Sequence, residues 1–254
     1  MTGRYRIELL QEFIVQQPLP LQLEFSNIRQ SMTRYLLILL FVTGAFHTLP
    51  AQQFRGAVIG GFNLTQVDGD EVYGYTKFGV HAGAAAILPL GKHFSMSLET
   101  LFNQKGARQG DQYERTDSLG NLLTGAYKLK LNYLEVPVLI HYTDKDFFTV
   151  GTGFSWGRLT SVKEWEHGQR IETTTMQKGP YKTSDINVLA DLRFPIYKKL
   201  KFNFRYAYSI AKIRTREFSD FYNNNWTRKQ YNNLLTFRFI YVINEKLPPK
   251  TKEQ

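Results

Sequence analysis

From Phe54 onward, apolar and polar side chains alternate in runs of about a dozen residues, each closed by a turn signal. Period two is the mark of a strand with one apolar face. Eight such runs are present: Phe54 to Gln66, Lys77 to Leu90, Lys92 to Arg108, Tyr127 to Tyr142, Phe147 to Thr160, Lys182 to Pro195, Leu200 to Ile213 and Lys229 to Ile243. Each is long enough to cross a bilayer when tilted. The connections alternate as well. Tight turns at Pro89-Leu90-Gly91-Lys92, Thr143-Asp144-Lys145-Asp146 and Tyr197-Lys198-Lys199 take turns with long polar segments near Val67 to Thr76, Gln109 to Ala126, Ser161 to Tyr181 and Arg214 to Arg228. Short turns at one end and long loops at the other are how membrane barrels are built. The expected fold is all-β, a transmembrane antiparallel up-and-down β-barrel of eight strands.

Period two also assigns the faces. In the last run Leu235, Phe237, Phe239, Tyr241 and Ile243 share one side, with Thr236 and Arg238 on the other. In the seventh, Phe202, Phe204, Tyr206, Tyr208 and Ile210 oppose Lys201, Asn203, Arg205, Ala207 and Ser209. The sixth sets Ile186, Val188, Ala190, Leu192 and Phe194 against Asn187, Leu189, Asp191 and Arg193; the third sets Phe94, Met96, Leu98 and Phe102 against Ser95, Ser97, Glu99 and Asn103. Alternation is symmetric between a soluble barrel with aromatics inside and a membrane barrel with aromatics outside. An eight-strand interior holds few side chains of that size, so the aromatics are assigned to lipid. Small residues (Gly79, Gly83 and Ala85; Gly151, Gly153, Ser155 and Gly157) then fall on the crowded inner face.

The compartment is read from the leader. The long apolar run Tyr35 to Phe46 is too short for a helix crossing about 30 Å of hydrocarbon. With Met32-Thr33-Arg34 before it and Leu49-Pro50-Ala51-Gln52 after it, it reads as a signal peptide cut after Ala51. The expected organisation is an upstream extension or mis-assigned start over 1–31, the signal peptide over 32–51, the barrel over 52–243 and a short periplasmic tail over 244–254. Both barrel termini are then periplasmic, in the outer membrane of a Gram-negative cell. Zero cysteines removes disulfides and thiolate metal sites. The 15 Tyr and 19 Phe beside 21% charged residues are too polar a mixture for helical spans.

The inward charges form a set: Glu99, Glu135 and Asp191 against Arg193, Lys201, Arg205 and Arg238. Unpaired charge in a confined interior is costly, so a lumenal ion-pair network is expected, with an ion path through the barrel as the functional alternative. Enzymatic candidates are thin. Among the histidines, His81 and His141 point to the lumen, and neither has a Ser or acid at a diagnostic spacing. Glu164, Glu166 and His167 read as a solvated loop before a metal site, and neither a phosphate-binding nor a dinucleotide fingerprint is present. No catalytic residue, cofactor or metal is therefore assigned. The chain without its first 51 residues holds 28 basic and 19 acidic side chains. A secreted chain has little access to nucleic acid, so lipopolysaccharide is the nearer anion, with Arg214, Arg216, Arg228 and Lys229 as contacts and Lys128 and Lys130 near the same rim.

Gly61-Phe62-Asn63-Leu64, Phe78-Gly79-Val80-His81-Ala82-Gly83, Pro89-Leu90, Phe94-Ser95 and Glu99 lead into Gln104-Lys105-Gly106 and Asn132-Tyr133-Leu134-Glu135-Val136-Pro137. Together these pieces resemble the PorT-like outer-membrane β-barrel family over about Phe54 to Ile243. The resemblance implies an outer-membrane location and, for the founding member, a part in protein secretion linked to gliding and protease export. The expected function is a non-enzymatic envelope component whose outer loops bind a ligand or another envelope protein. The alternative is a small-solute or lipid-handling barrel with a partly open lumen.

Overall fold

The computed structural model describes residues 54–144, 147–177, 179–219 and 224–245. The expected upstream segment and signal peptide, and the tail beyond Glu245, lie outside the described residues. Eight long strands carry the architecture among these: β1 Arg55–Asp68, β2 Lys77–Pro89, β3 Phe94–Lys105, β4 Tyr127–Asp144, β5 Phe148–Glu166, β6 Ser184–Tyr197, β7 Leu200–Ser209 and β8 Asn225–Val242. Each pairs antiparallel with its neighbours in chain order. The ring is closed by β1 against β8, in register from Ala57 opposite Val242 to Asp68 opposite Tyr231. Closure leaves no free long edge, which is what lets a sheet stand in lipid.

The alternation orients every wall. On β4 Leu134, Val136, Val138, Ile140 and Tyr142 are exposed, while Tyr133, Glu135, Leu139 and His141 between them are buried. The nine residues from Leu134 to Tyr142, at about 3.3 Å each and tilted about 40°, stand about 20 Å tall, close to the apolar band of a membrane barrel. Phe62 on β1, Phe237 on β8 and Phe204 on β7 form a continuous outward row, with ring centroids 5.4 and 5.2 Å apart. At this height the phenylalanines of β1, β7 and β8 point out, while Glu99, Asp191, Arg205 and Arg238 point in.

Three boundaries differ most from those expected, each for a local reason. The fifth strand runs on to Glu166, because a bulge opposite Asn132 and Tyr133 inserts an extra residue and places both Leu159 and Val162 inward. Two inward positions three apart break period two. The seventh strand stops at Ser209; Ile213 turns into the barrel mouth fully buried, its amide donating to the Gln230 carbonyl at 2.9 Å. The fourth long segment then pairs as Arg214–Ser219 against Asn225 to Gln230, so β8 begins four residues early. Within the second long segment, Arg115–Thr116 pairs with Leu122–Leu123 as a small separate hairpin.

Inside, the lumen is layered. Ala57, Ile59, Ile87, Leu101, Ile240 and Val242 form an apolar cluster toward the turn end. The middle is polar. Above it, toward the long loops, Val67, Leu129, Leu131, Tyr133, Leu159, Val162 and Ile213 form a second apolar cluster that caps the mouth.

Candidate functional site

The polar middle of the lumen is the most concentrated chemistry in the molecule. Glu99 on β3 accepts a bidentate pair of hydrogen bonds from each of two arginines. Arg205 on β7 donates to its two oxygens at 2.9 and 3.1 Å, and Arg238 on β8 does so at 2.8 and 3.1 Å. Asp191 on β6 accepts from Arg205 at 2.5 and 2.9 Å and from Arg238 at 3.1 Å, with Arg193 at 3.8 Å. β3 and β7 face each other across the ring, so the Glu99 to Arg205 pair ties opposite walls together. Arg238 is 0% and Glu99 1% exposed. Paired, bidentate geometry is what makes such burial tolerable.

A second polar layer lies toward the loops. Lys105 on β3 contacts Glu135 on β4 and lies 2.8 Å from Asp185 on β6. Asn103 donates to Glu135 at 2.8 Å, and Ser209 and Asn232 donate to Asp185 at 2.6 and 2.9 Å. The first layer holds three guanidinium groups and two carboxylates; the second holds one ammonium and two carboxylates. The surplus of each offsets the other.

The structure brings Glu99, Asp191, Arg193, Arg205 and Arg238 into one cluster. Glu135 belongs to the second layer, with Lys105 and Asp185, neither of which had been assigned to the network from sequence. Lys201 is a correction: it sits at the turn-end rim, partly exposed, and pairs with Glu245 at 2.6 Å, because β7 starts only one residue before it. Period two carries the signal for the two missed residues. Lys105 shares parity with Glu99 and Asn103, and Asp185 with Asn187 and Asp191.

His81 lies 3.3 Å from Arg238 inside the lumen. His141 is the second correction, because its Nε2 is 2.8 Å from the Ser97 hydroxyl, a Ser–His contact that spacing had not flagged. The pair is diagonal: Ser97 is registered against Leu139, two residues from His141. Its Nδ1 has no hydrogen-bond partner, so no third group orients the ring, and both residues are 1% exposed. Gly151 makes room for this imidazole; a Cβ there would collide with Nδ1.

At the loop end the acids and bases have found each other. Glu164 accepts from Tyr127 at 2.8 Å, Thr174 at 2.8 Å and Arg214 at 2.8 Å, while Arg214 also lies over the Tyr181 ring. Glu166 pairs with Arg216 at 2.6 Å, and His167 Nδ1 accepts from the Gly125 amide at 3.1 Å. Glu164, Glu166 and His167 thus serve separate sets of partners. Of the four residues read as lipopolysaccharide contacts, Arg214 and Arg216 are held by these acids, whereas Arg228 and Lys229 are exposed. Among the described residues, no group of three or more His, Asp or Glu is arranged to hold a metal.

Residues 50–214 match the family described as outer membrane protein beta-barrel domain. No curated protein sequence matches the chain. Solved structures with a similar course include the attachment invasion locus protein Ail of Yersinia pestis (13% identity, 76% of this chain and 99% of that one, TM-score 0.43). Others are a major outer membrane protein of Thermus thermophilus (13%, 76% and 100%, 0.41) and Neisserial surface protein A (9%, 75% and 96%, 0.40).

Proposed function

The chain belongs to the outer membrane protein beta-barrel domain family, and on that premise we propose that it is a non-enzymatic envelope component, its turns in the periplasm and its long loops outside, where they bind a ligand or a partner protein. One contrast carries this. The lumen is filled by its own ion pairs, while the loop end is built as a platform: the Arg214–Ser219 strand is stitched to β8 and, through Arg214 and Arg216, to Glu164 and Glu166 of β5. Phe218 and Trp226 stack on it with centroids 6.0 Å apart. A loop-end strand pair tied down by ion pairs and carrying a stacked aromatic pair suits contact with a partner.

The narrower PorT-like kinship, with its tie to secretion, stays part of this proposal. Its most specific motif serves packing: Gln104 donates to Asn132 at 3.1 Å, Lys105 contacts Glu135, and a Cβ at Gly106 would collide with the Leu129 carbonyl. A secretion role would therefore rest on what the loops hold. The alternative, a solute or lipid conduit, needs an interior wider than one where Arg205, Arg238, Glu99 and Asp191 are at most 5% exposed.

Two measurements test the reading. An Asn121→Cys variant, unique in a cysteine-free chain, is expected to react with a membrane-impermeant maleimide on intact cells; labelling only after the outer membrane is breached would invert the orientation. Co-purification from detergent-solubilised envelopes is expected to bring down a stoichiometric protein partner. Bound lipid without one would favour the conduit.

A further inference from the structure

The outer wall of β4 and β5 changes character abruptly at its loop end. Below, Leu134 on β4 and Phe154 and Trp156 on β5 are half or more exposed apolar side chains. Next comes a polar rung: Gln104 donates to Asn132 at 3.1 Å, and the Thr160 hydroxyl donates to the Asn132 carbonyl at 3.0 Å. Five cations crowd the same face. Arg158 stands opposite Leu134 at the upper margin of the apolar stretch, and beyond the polar rung Lys130 stands opposite Lys163 and Arg108 opposite Lys128. Lys130 is about 13 Å along the strand from Leu134, a height at which lipid headgroups begin.

Two like-charged pairs set directly across from each other destabilise a sheet. Among the described residues none of the five has a carboxylate within 4.0 Å to offset this, and the one acid lining the cleft beside Arg108, Lys128 and Trp165 is Asp111. In the two lumenal charge layers, by contrast, Lys105, Arg193, Arg205 and Arg238 all have a carboxylate within that distance, while the buried Lys77 nearer the mouth has none among the described residues. The other wall, at the loop ends of β1 and β8, offers an acid instead, Asp68, which accepts from Asn233 at 3.2 Å. Cations without a carboxylate on a lipid-facing wall, at the upper margin of its apolar band and beyond it, call for an anion from the bilayer. Trp165, 5.1 Å under the Lys128 ammonium, has the amphipathic character of a headgroup-level anchor.

We propose that Lys130, Lys163, Arg158, Lys128 and Arg108 bind the phosphates of a phosphorylated glycolipid, the lipid A part of lipopolysaccharide, with Asn132, Gln104 and Thr160 supplying hydrogen bonds to its sugars. The proposal rests on the orientation given above, with the long loops in the outer leaflet. It relocates the lipid contact from the Arg228 and Lys229 rim to the barrel wall.

The test uses full-length protein in phosphatidylcholine nanodiscs doped with lipid A, read by native mass spectrometry after detergent release. Bisphosphorylated lipid A is expected to remain bound, and its dephosphorylated form to be lost. Lys130→Gln with Lys163→Gln is expected to weaken retention at least tenfold, whereas Arg228→Gln with Lys229→Gln leaves it within twofold. Millimolar inorganic phosphate is expected not to displace the lipid; displacement would mean a free-phosphate site and would overturn the glycolipid assignment. Equal retention by wild type and the Lys130/Lys163 variant, or by both forms of lipid A, would overturn it too. Heat-modifiable gel mobility verifies that each variant is folded. Nanodiscs are blind to orientation, so a reversed Asn121→Cys labelling pattern would fail the functional reading separately.

Discussion

At the scale of single residues, the buried ion pairs carry the sharpest consequences. Arg238 serves Glu99, Asp191 and Asn203 at once, the last at 2.5 Å. Arg238→Ala is expected to cost about 3–5 kcal/mol, because it leaves carboxylates buried without their partner; urea unfolding in lipid, followed by tryptophan fluorescence, measures it. A loss under about 1 kcal/mol would mean that water reaches the cluster. Asp70, in the loop after β1, poses a different case. Burial raises its pKa to about 7, although the Val72 amide donates to it and Arg216 lies near; Asp68 pushes the same way as burial. The opened loop titrates near 3.8, so the closed arrangement has its full stability below that pH and loses it as pH rises through about 7. Protection of the Val72 amide, corrected for intrinsic exchange, is expected to be higher at pH 5 than at pH 8, and Asp70→Asn to flatten the difference. A wild-type profile without slope would refute this.

At the scale of elements, each strand is a two-sided object, and the outward side answers to lipid. Phe204 packs against Phe237 on the outer wall, on the same strand as the inward Arg205. Phe204→Arg is expected to destabilise the inserted barrel by about 2–4 kcal/mol, while Phe204→Leu is tolerated; folding yield into vesicles reports both. Undiminished insertion of the arginine variant would mean that this face does not meet hydrocarbon. Period two made the faces of β3, β6, β7 and β8 legible before any coordinates. It failed where the backbone departs from a plain ladder. The bulge beside Asn132 hid the end of β5, the inward turn at Ile213 hid the end of β7, and the Ser97 to His141 contact lies on a diagonal that spacing along one strand does not display. Lys201 shows the complementary limit. Parity names the face but not the height, and a rim position finds Glu245 in place of the central cluster.

At the scale of the whole molecule, the two charged layers fill the middle of the ring, and the long loops gather at one end of it. Wild-type protein in planar bilayers is expected to give no steady conductance steps, since the lumen side chains themselves occupy the path. Reproducible unitary steps would contradict a plugged interior. The overall architecture was legible because alternating loop lengths and alternating faces are global regularities. The wall cluster was less so: Lys128 and Lys130 drew notice from sequence, but Arg158 and Lys163 join them only through cross-strand register. The twelve-pair seam between β1 and β8 has one more consequence. The earliest strand made finds its partner only in the last, so any chain interrupted before Asn225 travels with two raw borders able to recruit foreign strands. Such a polypeptide needs an escort, and a chaperone that grips unzipped borders would tell finished molecules from fragments without reading their sequence.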